Sequence, residues 1–177
     1  MRCREDLLDA IEYKKRATLQ EERMTKVLER IRNSQESIIL FGSNDYHDYF
    51  ITYRAEHSYK GVLTDMFFVV RIFKKYSSFI EHGGDLWAEP VYNTEHNYLE
   101  DIILTDILIK TWCEDMGYGS ILMEQLIKYS KQLGANSVIG KFSRVDDTES
   151  NRERRYHFYK KFGFEIDGDL VSLNLRK

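Results

Sequence analysis

Two glycines near the middle of the chain have the spacing of a turn that can hold an anion. Gly117 and Gly119 follow an apolar segment, 102–109, and precede a segment with helical periodicity. The first turn of a helix leaves backbone N–H groups unpaired and carries a partial positive charge. Glycine removes the side chains that would keep a phosphate away from those groups. Residues 115–120 are therefore predicted to form a diphosphate cradle, with a simple turn as the alternative on spacing alone.

Two other phosphate-binding patterns do not fit this turn. The Walker A loop ends in Gly-Lys-Ser/Thr, which is absent here. The dinucleotide fingerprint needs a third glycine beyond Gly119, at a place where this chain has Leu122. The turn is therefore not predicted to belong to a P-loop or a Rossmann domain.

The elements around the turn are predicted as a strand and a helix. Segment 102–109 is rich in Ile and Leu with little alternation, which is typical of a strand covered on both faces. Helical spacing continues from the turn to Gly134, which is expected to end the helix. The predicted apolar face of this helix consists of Leu122, Leu126, Tyr129 and Leu133.

A second helix and three strands are predicted after Gly134. Ser150 and Glu153 have the spacing of a capping box, and the helix that they open is expected to end at Gly163. The predicted strands are 137–142, 164–166 and 170–175, and Asp167-Gly168 forms a tight turn between the last two. This order of elements predicts a mixed α/β fold with an antiparallel end.

Two motifs in the second half of the chain occur in a defined order. The residues from Glu114 to Gly119, EDMGYG, open a helix, and the residues from His157 to Phe164, HFYKKFGF, follow about forty residues later. This pair resembles the signatures of the GNAT N-acetyltransferases, Gln/Arg-x-x-Gly-x-Gly/Ala and aromatic-Tyr-x-x-x-Gly-Phe. The resemblance covers residues 99–177 and is more specific than either motif alone.

The resemblance implies a splayed mixed β-sheet flanked by helices and an acetyl-CoA-dependent N-acetyltransferase. It places acetyl-CoA, the co-substrate, between strand 102–109 and strand 137–143, with the pantetheine along the backbone of Leu108 and Ile109. Tyr159 matches the family's tyrosine near the thioester sulfur. The other cofactor-binding residues that the resemblance implies are Met116, Gly117, Tyr118, Gly119, Ser120 and Asn151.

Three positions depart from the family pattern. Glu114 stands where Gln or Arg is usual and brings a negative charge near a diphosphate. Many members carry a glutamate base on the central strand, where this chain has Ile103 or Thr105. The proline common before the motif is missing. These departures put the affinity for the diphosphate and the identity of the base in question.

Acidic residues on the central strand are the candidates for proton transfer. An amine is mostly protonated at pH 7 and must lose a proton before it attacks a carbonyl carbon. Asp106 is the first candidate for base or amine contact, and Asp101 or Glu100 is the reserve. The aspartates face opposite sides of a regular strand unless a bulge intervenes. A strand-end residue that caps a loop is the competing interpretation of Asp106.

An acidic loop before the second motif favours a cationic acceptor. Asp146, Asp147 and Glu149 join the acids of the central strand, and together they would attract a primary amine that carries positive charge. A solvated surface loop is the alternative interpretation of these residues.

Composition and charge limit the remaining classes of function. The 177 residues carry a net charge of −3, so a generally basic nucleic-acid binder is not expected. The two cysteines and five histidines show no metal-ligand spacing, so no metal is predicted. The apolar runs are too short to span a membrane, and the N-terminus resembles no secretory signal. The expected protein is cytoplasmic, with no nucleic-acid or membrane partner and with a possible homodimer.

The first half of the chain is predicted to contain a helical arm followed by strands. Apolar stripes in residues 1–33, such as Met24, Val27, Leu28 and Ile31, predict helices that dock on their own domain or on a neighbour's. Strands are predicted at 37–41, 49–54 and 66–73, turns at Gly61 and Gly83-Gly84, and 86–92 is ambiguous. The predicted organisation is an arm, 1–34, and one domain, 35–177.

Three hypotheses of function remain open at this point. The first is acetyl transfer to a primary amine by direct attack in a ternary complex. The second is a non-catalytic CoA-binding sensor or regulatory module, which Thr105 in place of a carboxylate favours slightly. The third is an interaction protein that acts through its N-terminal arm.

Overall fold

The computed structural model describes most of the chain beyond residue 36. The described residues are 22, 25, 26, 29–31, 33, 37–55, 68–76, 80–93, 95, 98–142 and 148–176. The predictions that fall on other residues, namely most of the helical arm, Gly61, Asp146 and Asp147, lie outside this part.

Eight strands of the described part form one mixed sheet in the order β1-β2-β3-β4-β5-β6-β8-β7. All neighbours are antiparallel except β5 and β6, which are parallel. The strands are β1 Ser37–Ser43, β2 Asp48–Ala55, β3 Phe68–Lys75, β4 Ile80–Asn93, β5 Tyr98–Ile109, β6 Ser137–Lys141, β7 Glu165–Asp167 and β8 Leu170–Asn174. The predicted mixed α/β sheet flanked by helices is confirmed.

Two helices connect the parallel pair and the last strands. α1 spans Tyr118–Gln132 and lies between β5 and β6 in the chain, and α2 spans Glu149–Lys161 and precedes β7. A short 3₁₀ helix, Thr111–Cys113, joins β5 to the start of α1. In the described part, no helix is both long enough and apolar enough to cross a membrane.

The core lies on one face of the central strands, here called the inner face, which packs against α1. Ile102 and Leu104 of β5 are buried there with Leu122 and Leu126 of α1. On the opposite, outer face of β5, Ile103 and Leu108 are 40% and 57% exposed. The prediction that this strand is covered on both faces was therefore wrong, because α1 covers only one of them.

Two glycines predicted as a turn lie inside a strand. Gly83 and Gly84 belong to β4, and Gly83 is an extra residue opposite the step from Ile72 to Phe73 in β3. A Cβ on Gly84 would lie 2.5 Å from the carbonyl oxygen of Leu108, so only glycine lets β4 approach β5 this closely. The glycine pair therefore makes a β-bulge instead of a chain reversal.

A second bulge changes the direction of the side chains on β5. Trp87 pairs with Asp106 and the next residue of β4, Ala88, pairs with Leu104, so Thr105 is the extra residue. Side chains alternate along a regular strand, so Asp101 and Asp106 would face opposite sides. The extra residue between them places both on the same face. Both aspartates therefore lie on the outer face.

The two helices differ from the prediction at one cap and on one apolar face. Thr148, not Ser150, caps α2, because its Oγ1 accepts a hydrogen bond from the N–H of Asn151 at 3.3 Å. Leu133 was predicted on the apolar face of α1, but it follows the end of the helix and is exposed. Met123, which was not predicted on that face, is buried. The predicted glycines that follow α1 and α2 and the glycine of the last turn all have positive φ: Gly134, Gly163 and Gly168.

The described residues of the N-terminal arm are helical, and one of them packs on the outer face of the sheet. Ile31 is buried against Phe50 of β2 and Phe73 of β3, whose rings are stacked at a centroid distance of 4.9 Å. This contact is made within the same chain. The arm and domain boundaries at residue 34 stay a prediction.

Candidate active site

The parallel strands β5 and β6 pair over a short distance and then separate. Four residues of β5, Asp101 to Leu104, pair with Ser137 to Gly140 of β6. β5 continues to Ile109 while β6 ends at Lys141, and no described strand pairs with that side of β5 beyond Leu104. The separation leaves backbone groups of β5 open to a ligand that lies beside it like an additional strand.

The start of α1 presents unpaired N–H groups close to this separation. Gly117 is the N-cap with φ of +76°, and its carbonyl accepts the first helical hydrogen bond from Ile121 at 3.1 Å. The N–H groups of Tyr118, Gly119 and Ser120 have no acceptor in the described part of the chain. The first turn also contains no acidic residue. This end of α1 is therefore suited to bind an anion.

The two glycines of the turn have different surroundings. Gly117 has open space around the position of a Cβ, so its positive φ is what requires glycine. Gly119 lies where three elements meet: a Cβ there would lie 3.5 Å from Phe158 of α2 and 3.8 Å from Ile109 of β5. Both distances are ordinary van der Waals contacts, so a Cβ fits there, whereas a larger side chain would occupy the space between the two helices and the end of β5.

The loop before α1 contacts the turn between β1 and β2 and a residue of β3. Asn44, in the turn between β1 and β2, donates from Nδ2 to the carbonyl oxygen of Met116 at 2.8 Å. The buried Lys74 places Nζ 3.8 Å from the sulfur of Met116. Tyr118 is fully buried, so its side chain is not available to a ligand.

Basic residues of α2 approach the turn. Lys161 donates from Nζ to Oγ of Ser120 at 3.0 Å. Arg154 lies 3.7 Å from the carboxylate of Glu114, the residue that departs from the family pattern. Both groups of this ion pair are largely exposed, so its stabilisation is small, but it offsets the negative charge at the turn. Sequence analysis missed both cations, although helical spacing places them on the side of α2 that carries Phe158.

Tyr159 lies in an aromatic cluster between α2 and the last strands. Its ring contacts Phe142 and Phe164 at centroid distances of 5.4 and 5.3 Å. Burial, followed by the nearby Asp106 carboxylate, raises the pKa of Tyr159 to about 12, while Arg155 acts in the opposite direction. Tyr159 therefore lies within electrostatic range of Asp106, and its hydroxyl is protonated at neutral pH.

The two aspartates have different surroundings. Asp106 is exposed beside the separation of the strands. Asp101 accepts a hydrogen bond from Oγ of Ser137 at 2.6 Å, at the paired end of β5 and β6. The rise per residue of a strand separates the two carboxylates by roughly 15 Å. Asp101 therefore links the two strands and lies away from Tyr159.

The remaining predicted residues belong to β5 and α2. Leu108 is exposed on the outer face and Ile109 is partly buried against the core. Asn151 is partly buried in the first turn of α2. Cys113 is buried, and this burial raises the pKa of its thiol, which disfavours a thiolate. Among the described residues, no group of three or more His, Cys, Asp or Glu side chains could hold a metal ion.

Comparisons with solved structures found partial similarities at low sequence identity. A GNAT family acetyltransferase from Elizabethkingia anophelis with acetyl-CoA bound has a TM-score of 0.47 and 12% identity, over 71% of this chain and 98% of that chain. An aminoglycoside 6'-N-acetyltransferase complexed with coenzyme A has a TM-score of 0.44 and 15% identity, over 62% and 74%. The KacTA–DNA complex has a TM-score of 0.46 and 14% identity, over 62% and 69%.

A comparison with curated protein sequences gave no significant match. The family described as the acetyltransferase (GNAT) family matches residues 78–164, about half of the chain. The matched part includes most of β4, all of β5 and β6, and both helices. It therefore contains the separation of the strands, the glycine turn and Tyr159. Through these residues the chain matches the GNAT acetyltransferase family.

Proposed function

We propose that this protein is an N-acetyltransferase that uses acetyl-CoA to acetylate a primary amine. The observation that carries the proposal is the row of unpaired N–H groups at Tyr118, Gly119 and Ser120, next to the separation of β5 and β6. A diphosphate fits the start of the helix, and an extended pantetheine chain fits the open side of β5. The family match to the GNAT acetyltransferases supports the same assignment.

The diphosphate is bound by backbone groups and by cations of α2. The amides of residues 116–120 donate to its oxygens, and Lys161 adds a positive charge beside Ser120. Arg154 offsets the charge of Glu114, so this departure from the family pattern does not prevent binding. Leu108 and Ile109 offer backbone groups to the pantetheine, and Asn151 lies in the first turn of α2.

The acetyl group is transferred by direct attack of the amine on the thioester carbon. The C–N bond forms, the C–S bond breaks, and the sulfur leaves as a thiolate. A backbone N–H of β5 near Leu108 or Ile109 stabilises the negative charge that develops on the carbonyl oxygen. Tyr159 stays protonated, because its pKa is about 12, and donates a hydrogen bond to the thiolate. A thiol has an ordinary pKa of about 8.5, so complete proton transfer from Tyr159 to the thiolate is unfavourable.

The proposed acceptor is a small or peptidyl primary amine with a positive charge. Asp106 is exposed next to Tyr159 and holds the ammonium before attack. Glu149 is exposed at the start of α2 and adds to the negative potential. The acceptor and its binding residues are part of the proposal, as is the absence of a nucleic-acid partner, which rests on the net charge of −3.

Two measurements on the purified full chain test this function. Calorimetry with acetyl-CoA is expected to show binding at one site per chain. Release of free CoA thiol is then followed with polyamines, amino acids, aminoglycosides and peptide N-termini, and at least one amine is expected to increase it well above hydrolysis. Binding without transfer to any amine would favour the sensor, which the absence of a carboxylate at Ile103 and Thr105 also supports. Absence of binding would contradict both functions.

A further inference from the structure

Three side chains on the outer face of β3 and β4 form a hydrogen-bonded cluster. Oδ1 of Asp85 accepts from Nε2 of His82 at 2.9 Å and from Nε of Arg71 at 3.1 Å. The bulge at Gly83 makes the first contact possible, because two residues three apart face opposite sides of a regular strand. None of these residues has a role in the function proposed above.

The cluster borders the acceptor side of the proposed site. Asp85 pairs with Leu108, and two residues further along β4, Trp87 pairs with Asp106. Diagonal neighbours in an antiparallel pair lie about 7–8 Å apart, so Asp85 and Asp106 share one face at that separation. The thioester is proposed to lie beside the backbone of β5 between Asp106 and Leu108.

The hydrogen bond to Asp85 orients the imidazole. A carboxylate only accepts, so Nε2 of His82 carries a hydrogen, and in the neutral imidazole Nδ1 keeps its lone pair. Asp85 is the one hydrogen-bond partner that the described part of the chain offers to His82, and 35% of the histidine side chain is exposed. Nδ1 is therefore available to water or to a substrate. An imidazole that is oriented by a carboxylate in this way is a common form of general base.

An imidazole is better suited than an aspartate to accept a proton near neutral pH. The ordinary pKa of an aspartic acid is about 3.9 and that of a histidine is about 6.5. An exposed carboxylate binds an ammonium well but takes its proton poorly. Asp106 is therefore suited to hold the acceptor, and another group is needed to remove the proton of the acceptor.

We propose that His82, oriented by Asp85, is the general base that deprotonates the acceptor amine, through a water molecule on the outer face. The inference rests on the acetyl transfer proposed above. An ammonium acceptor loses two protons in the reaction: His82 takes the first before attack, and the second leaves the nitrogen after the C–N bond has formed and ends on the departing thiolate. The free base is restored when His82 releases its proton to solvent.

Several other charged groups lie on the elements around His82. Arg71 and Lys75 lie on the same face of β3, and Asp85 and Asp106 lie on β4 and β5. Lys110 follows β5, and its N–H donates to the carbonyl of Gly83 at 2.9 Å. From the N-terminal helix, Glu29 and Arg30 are exposed next to Ile31.

The test compares two nucleophiles in the variants His82→Gln and Asp85→Asn. Spermidine is a strongly basic amine that must be deprotonated, whereas hydroxylamine is already neutral at pH 7. With spermidine, kcat/KM is expected to fall about 100-fold or more in His82→Gln, which is typical of the loss of a general base. With hydroxylamine it is expected to change less than about threefold. The affinity for CoA, measured by calorimetry, is expected to stay unchanged.

The controls separate this inference from the function on which it rests. Imidazole in the buffer is expected to restore part of the spermidine activity of His82→Ala, and His157→Gln, an exposed histidine of α2, is expected to behave as wild type. Asp85→Asn is expected to reduce spermidine turnover and tests the cluster if His82→Gln folds poorly. Equal losses with both nucleophiles, or none, would overturn the proposal for His82. A wild-type protein that acetylates neither of these nucleophiles nor any amine of the panel above would instead contradict the acetyltransferase function.

Discussion

Asn44 donates a hydrogen bond from Nδ2 to the carbonyl oxygen of Met116 at 2.8 Å. Its Oδ1 also accepts from the N–H groups of Tyr46 and His47, which fixes the turn between β1 and β2. One side chain thus joins the turn at the edge of the sheet to the loop that is proposed to hold a diphosphate. The contact stabilises the loop before any ligand is bound.

We expect Asn44→Asp to weaken the binding of acetyl-CoA about 2- to 10-fold, the range of one net hydrogen bond. The aspartate still accepts from Tyr46 and His47 but cannot donate to Met116. Calorimetry measures the affinity, and Asn44→Ala, which also removes the turn contacts, is the comparison. If Asn44→Asp binds as tightly as wild type, the contact does not organise the cradle.

Gly119→Glu is expected to abolish binding of CoA. The substitution puts a carboxylate between α1, α2 and β5, where the diphosphate is proposed to bind. Gln132→Glu is the matched control, because it adds the same charge to the exposed other end of α1. Calorimetry should show no binding in the first variant and wild-type affinity in the second. Unchanged affinity in Gly119→Glu would exclude this turn as the site.

Tyr159→Phe is expected to keep the fold and to lower turnover about 10- to 100-fold, since a hydrogen bond to a charged group contributes about 1.5–3 kcal/mol. The pKa of about 12 also predicts that Tyr159 causes no fall in activity below about pH 11. Turnover at saturating substrates from pH 6 to 10 measures both effects. A loss of less than about threefold would make Tyr159 a packing residue only.

Tyr118→Phe is expected to stabilise the protein by about 1 kcal/mol, because it removes a buried hydroxyl that has no hydrogen-bond partner in the described part of the chain. Burial raises the pKa of Tyr118 to about 12 from 10.0, so the unfolded state loses this proton first as the pH rises. The part of the free energy of unfolding that depends on the protonated Tyr118 hydroxyl is thus complete below about pH 10 and is lost between pH 10 and 12. Urea unfolding of both proteins at pH 8 and pH 10.5 measures the difference, which should be larger at the higher pH.

Asp106→Asn is expected to raise the KM for a cationic amine, because it removes the carboxylate that holds the ammonium beside Tyr159. In the wild type, added salt should raise this KM as well, since exposed charges are screened within about 10 Å at 0.1 M salt. The KM for hydroxylamine serves as the reference and should respond to neither change. Equal effects of salt on both nucleophiles would contradict an electrostatic role for Asp106.

Several turns could be predicted from the sequence because local residues determine them. Gly117, Gly134, Gly163 and Gly168 all adopt positive φ, a conformation that glycine enters without steric cost. The resemblance of the two motifs to a known family also predicted that β5 and β6 are neighbours and that a glycine turn precedes α1. These features depend on a few neighbouring residues and on the spacing of apolar side chains.

The tertiary structure decided which side chains share a face. Gly83 and Thr105 are bulges only because a neighbouring strand pairs on either side of them, and this pairing joins residues far apart in the chain. One bulge brings His82 to Asp85, and the other brings Asp106 to the outer face of β5. No local pattern predicts such contacts, because a shift by one residue reverses the direction of every side chain that follows.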